Sequence, residues 1–215
     1  MIVLDIETSG LYPEKNGIWQ IGAIELDNPK NQFLQESHID EDEEVRQQAL
    51  NVIGKIESQL RDKTKQSQKE LLQNFFKWVE KAKMKNCLCQ NPQFDLVFIS
   101  QKARKYNLEF PIHYRAFDLH SIAAIKYHQI NKKWLLSENL QCSGMGLSKV
   151  LEFCGIQDHR ISTDVKTGAI LRPGVPHNAL EDAKLTAECF SRIVYGKELL
   201  PEFKSQPIPK YLLSL

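Results

Sequence analysis

Apolar residues open the chain in the rhythm of a β-strand. Ile2, Val3, Leu4 and Ile6 are β-branched or aliphatic, and Ser9-Gly10 stops the run. Residues 18–26 and 33–39 read as two further strands, separated by the turn Asp27-Asn28-Pro29. Short connections between the three predict an antiparallel meander. Residues 40–67 are polar and helix-leaning, with acids at 40–44 and scattered Lys55, Arg61, Lys63 and Lys65; they read as a solvated face. Residues 67–85 predict an amphipathic helix, because Leu71, Leu72, Phe75, Phe76 and Val79 recur at three-to-four spacing.

The second half alternates. A short strand is predicted at 86–91, ended by Pro92, then a helix at 94–106 with Phe94, Val97, Phe98 and Ala103 inward. Residues 116–118 read as a short strand leading into a helix to about residue 128. Residues 131–146 are loop-like, and a helix at 147–154 stops at Gly155. Residues 157–176 look irregular, with Gly168, Pro173, Gly174 and Pro176. The last long helix is expected at 178–195, with Asn178 as N-cap, Glu181 completing a capping box, and Ala179, Ala183, Ala187, Phe190 and Val194 as its inner stripe. The expectation is one α/β domain over residues 1–196 and a surface tail over 197–215.

Composition narrows this picture little. A formal net charge of +1 advertises no polyanion partner, so any nucleic-acid contact must come from local clustering. Asp5 and Glu7 interrupt the only apolar N-terminal run, and no stretch approaches the length of a membrane span; neither a signal peptide nor a membrane partner is expected. The five cysteines, at 87, 89, 142, 154 and 189, do not complete a zinc pattern and read as thiols in a reducing cytosol, which makes the expected location cytoplasmic.

Asp5 and Glu7 change the picture more. Strand alternation turns both to the side opposite Ile2, Leu4 and Ile6, about 7 Å apart. A buried unpaired carboxylate costs several kcal/mol. Two readings are open: an oxygen-rich site for a hard cation such as Mg²⁺ or Mn²⁺, or an edge strand with its acidic side in water. Asp95 stands at the start of a predicted helix, Asp182 in the first turn of the last one, and His177 just before it. Each acid alone is explained by the helix dipole.

Together the segments Leu4-Asp5-Ile6-Glu7-Thr8-Ser9-Gly10-Leu11, Gln90-Asn91-Pro92-Gln93-Phe94-Asp95 and His177-Asn178-Ala179-Leu180-Glu181-Asp182-Ala183 resemble the DEDDh branch of the DnaQ-like 3′→5′ exonucleases. Ile18-Trp19-Gln20-Ile21-Gly22-Ala23 resembles that family's second strand, and the likeness covers about residues 1–196. Gln90 and Pro92 depart from its commoner residues and leave substrate preference open.

The resemblance implies a ribonuclease H-like α/β fold: a five-stranded mixed sheet, three antiparallel strands then two parallel, flanked by helices. It implies that Asp5, Glu7, Asp95 and Asp182 hold two Mg²⁺ or Mn²⁺ ions and that His177 is the general base. Hydrolysis of single-stranded DNA or RNA 3′ ends to nucleoside 5′-monophosphates follows from it. Thr8, Leu11, Asn91 and Phe94 are the candidate substrate contacts, with Leu11 and Phe94 alternatively plain core. Lys166 and Arg172 are candidate phosphate contacts, while the helix lysines read as solvated surface. The alternative is a catalytically silent nucleic-acid- or partner-binding module on the same fold. A homodimer or a polymerase-type partner is compatible with the resemblance, and the sequence does not choose between them.

Overall fold

A computed structural model describes residues 1–137, 141–164 and 167–213. Its centre is β1 (Ile2–Thr8), paired antiparallel with β2 (Ile18–Glu25), which pairs antiparallel with β3 (Asn28–Glu36). On the other side β1 pairs in parallel with β4 (Cys87–Cys89), and β4 with β5 (Phe117–Asp118). The order β3-β2-β1-β4-β5 is the expected mixed sheet, antiparallel then parallel.

Both faces are covered. Ile2, Leu4 and Ile6 pack under α3 (Gln68–Glu80) and α4 (Pro92–Lys105). Val3 packs on the opposite face, with α5 (Leu119–Asn131), α6 (Leu147–Phe153) and α7 (Ala179–Tyr195). Asp5 and Glu7 share the side of Val3, so β1 is a covered central strand and the edge-strand reading fails. The predicted stripe of α3 is buried throughout, and Ser67 with Glu70 forms its capping box.

Gln20 and Gly22 bring α7 onto this sheet. Gly22 faces Asp5 across the β1–β2 pair. A Cβ at Gly22 would fall 2.0 Å from Leu180 N and 2.1 Å from the carbonyl carbon of Ala179. The Gln20 side chain accepts from the Ala179 N–H at 2.8 Å. Gly22→Ala is therefore expected to destabilise the fold by about 1–3 kcal/mol, since the obstruction is backbone that cannot swing aside. Urea denaturation reads this directly, and an unchanged midpoint would contradict the close approach.

Several expectations are corrected. Residues 40–67 do not form a solvated face. They carry α1 (Gln47–Ile53) and α2 (Glu57–Leu60), whose Leu50, Ile53 and Leu60 pack with Trp19 and Ile39. Glu43 is buried in an ion pair with Lys102 and accepts from Gln68 Nε2. The third strand starts earlier than predicted, with Pro29 tolerated because β3 is an edge. Val97 is exposed, while Phe94 and Phe98 pack with tilted rings, centroids 4.9 Å apart. The irregular stretch contains a small hairpin, β6 (Ser162–Thr163) with β7 (Ile170–Arg172). Residues beyond Gly196 were expected on the surface, yet Leu200, Phe203 and Leu212 enter the core beside α7, because three apolar side chains there outweigh a short polar context.

Candidate active site

The site lies at the carboxyl ends of β1 and β4. Strand alternation presents Asp5 and Glu7. The break at Asn91, held at φ 70°, turns the chain into α4 and places Asp95 in its first turn. Asp95 Oδ1 accepts from Ile6 N–H at 3.2 Å, which fixes it against the middle of β1. The Asn178 side chain caps α7 by accepting from Leu180 and Glu181 N–H, so Asp182 sits one turn in, over the same strand. Among the described residues, no reciprocal bond from Glu181 completes the predicted box.

The acids crowd one another. Burial, then the charges of Asp95, Asp182 and Glu7, holds the Asp5 carboxyl well above the usual range. Burial, then Asp182 and Asp95, does the same to Glu7. Asp95 is pushed up to about 7 by burial, which outweighs the hydrogen bonds from the backbone. Two buried oxygens, Glu7 Oε1 and Asp182 Oδ1, have no hydrogen-bond partner among the described residues. A donor atom each from Glu7, His177 and Asp182 lies within 4.8 Å of the other two. Such oxygen-rich, unsatisfied and proton-retaining groups fit a divalent cation, which favours their ionised forms.

His177 Nδ1 is 3.1 Å from Asp182 Oδ2, and its Nε2 is 3.1 Å from Ile161 O. The His177 N–H also donates to Val52 O, tying the residue to α1. Arg160 went unnoticed in the sequence. Its Nη1 donates to Asp182 Oδ2 at 3.0 Å, and its charge opposes the raised proton affinity of Asp5 and Glu7. No local pattern signals it, since it lies in a segment with no readable periodicity.

Beside the acids runs a cleft of about 520 Å³, lined by Glu7, Thr8, Leu11, Phe94, Arg46 and Thr163 among others. Thr8, Leu11 and Phe94 are thus brought to one groove. Asn91 is exposed and does not line it; its N–H donates to Asp118 Oδ1. Arg172 pairs with Asp158 and donates to Arg160 O, so it is engaged within the protein. Lys166 lies outside the described residues.

A family model described as RNase_T, Exonuclease, matches residues 2–190. The chain belongs to this exonuclease family. No curated protein matches the sequence. Among solved structures, zinc-bound E. coli exonuclease I with single-stranded DNA is 16% identical, with a TM-score of 0.66 over 91% of this chain and 41% of that one. The same enzyme with a dT13 oligonucleotide gives 16% and 0.64, covering 89% and 40%. Cell-death related nuclease 4 is 14% identical with a TM-score of 0.63, covering 92% and 64%. These likenesses are of fold. The chain spans about two fifths of the length of exonuclease I. Among the described residues no helix is long and apolar enough to cross a membrane.

Proposed function

We propose that the protein is a metal-dependent 3′→5′ exonuclease that trims single-stranded DNA or RNA to nucleoside 5′-monophosphates. The observation that carries this reading is the convergence of Glu7, His177 and Asp182, one donor atom of each within 4.8 Å of the others, with Glu7 Oε1 and Asp182 Oδ1 buried and unpartnered among the described residues. Asp5, Glu7, Asp95 and Asp182 are the residues to hold two Mg²⁺ or Mn²⁺ ions. When bound, those ions supply positive charge to the attacked phosphate and the departing 3′-oxygen.

The chain's own residues do the rest. His177 takes the proton of the attacking water. Both of its ring nitrogens face oxygen acceptors here, so one must exchange its partner before the ring can accept a proton. Thr8 and the end of β1 hold the sugar of the last nucleotide, and Leu11 and Phe94 offer apolar surface to its base. Leu11, 62% exposed at the cleft rim, is available for such stacking and is not core. The exonuclease I structures hold single-stranded DNA, which supports the substrate class. A silent binding module would have no use for a buried acid cluster whose proton affinity stays raised despite Arg160.

The test uses single-stranded DNA and RNA labelled at either end, with Mg²⁺, Mn²⁺ or EDTA. The expected result is immediate loss of a 3′ label, a descending ladder from a 5′ label, mononucleotide products and no reaction in EDTA. No release with Mn²⁺ present, or release unaffected by chelation, would overturn the proposal.

A further inference from the structure

Arg160 is buried, at 9% exposure, beside four acids, and every nitrogen of its side chain is occupied. Nε donates to Asp158 Oδ1 at 2.9 Å. Nη2 lies 3.3 Å from Asp158 Oδ2 and 3.4 Å from Ser148 Oγ. Only Nη1 points to the site, where it meets Asp182 Oδ2 at 3.0 Å. Asp158 is itself held from two further sides, by Ser148 Oγ at 2.6 Å from α6 and by Arg172 Nη2 at 3.0 Å from β7. A planar fork fixed along one edge cannot rotate at the other.

The consequence falls on Asp182. Its Oδ2 is claimed by Arg160 and His177, and its buried Oδ1 has no hydrogen-bond partner among the described residues. We infer that Arg160 is a positioning residue for metal binding: anchored by Asp158, it holds the Asp182 carboxylate with Oδ1 presented to the cation. This rests on the nuclease reading above. A rival expectation comes from charge alone, since a buried guanidinium should repel a divalent cation. Orientation and repulsion predict opposite signs. Partners that orient a ligand are worth about 10–100-fold in metal affinity.

The experiment is Mn²⁺ binding to the whole protein, with no substrate present, followed by electron paramagnetic resonance and calorimetry. Arg160→Met is expected to weaken Mn²⁺ binding about 10–100-fold. Arg160→Lys should weaken it too, although charge is kept, because one ammonium cannot serve both Asp158 and Asp182 as the fork does. Asp158→Asn, which touches Asp182 nowhere, should act in the same direction by loosening the fork. In all three, raising Mn²⁺ should restore turnover, which would not follow from a lost substrate contact. Melting in EDTA identifies the folded variants, and the lysine and Asp158 variants decide the matter should Arg160→Met not fold. Unchanged or tighter Mn²⁺ binding in folded variants overturns the assignment of Arg160. A wild-type protein that binds no Mn²⁺ overturns the nuclease reading instead.

Discussion

Asp95→Asn is expected to lower nuclease turnover by about three orders of magnitude and, in the same protein, to raise the melting temperature in chelator at pH 8. The first effect follows if Asp95 is a metal ligand, because a cation contributes several kcal/mol of charge stabilisation and about 1.4 kcal/mol is tenfold in rate. The second follows from the cost of the bare carboxylate. Burial pushes Asp95 up to about 7 from an ordinary 3.8. Between those values the folded chain holds a proton that the unfolded chain has released. The associated stability is complete below about pH 4 and is lost as pH rises through about 7. Asparagine keeps the oxygen that accepts from Ile6 N–H and carries no such charge. The gain of the variant over wild type should grow from about pH 4, level off above about pH 7, and vanish toward pH 4. Differential scanning calorimetry in EDTA at pH 4 and pH 8, beside turnover with Mn²⁺, measures both. A fully active variant, or one less stable than wild type at pH 8, would contradict the account.

Glu188→Ala is expected to destabilise the protein by about 3–5 kcal/mol, the cost of leaving a buried charge without its partner. Glu188 and Arg192 are fully buried on α7, 2.7 Å apart at Oε1 and Nε. Glu188 Oε2 accepts from both Leu199 and Leu200 N–H at 2.9 Å. Arg192 donates to Cys154 O at 3.0 Å and to Phe203 O at 3.1 Å. The pair thus joins α6, α7 and the residues after Gly196. Its loss strands a guanidinium and two amides in the core and frees Leu200 and Phe203. Deleting residues 198–215 should cost at least as much. Chemical denaturation reads both, and a loss under about 1 kcal/mol in either would show the C-terminal segment to be a surface appendage after all.

The legible parts of the molecule share one physical property: their information is local. The stripe of α3, the Asn178 cap of α7 and the alternation that sets Asp5 beside Glu7 all lie within a few residues of themselves. Helix and strand periods convert such spacing directly into faces. The 40–67 stretch is not legible locally, because its polar residues find partners far along the chain. Glu43 meets Lys102 across 59 positions. The β6–β7 hairpin was missed because two- and three-residue strands leave no alternation to read.

The sequence by itself determined the order of the main strands and helices and which acids stand at the ends of strands and starts of helices, while the mixed sheet came as what the family resemblance implies. Backbone periodicity and capping chemistry act on neighbours and need no tertiary partner. Only the folded structure decided that Arg160 grips Asp182, that Asn91 stays out of the cleft, and that the last residues belong to the core. Those outcomes depend on where a buried charge or an apolar side chain meets its partner in space, and no spacing along the chain encodes that distance.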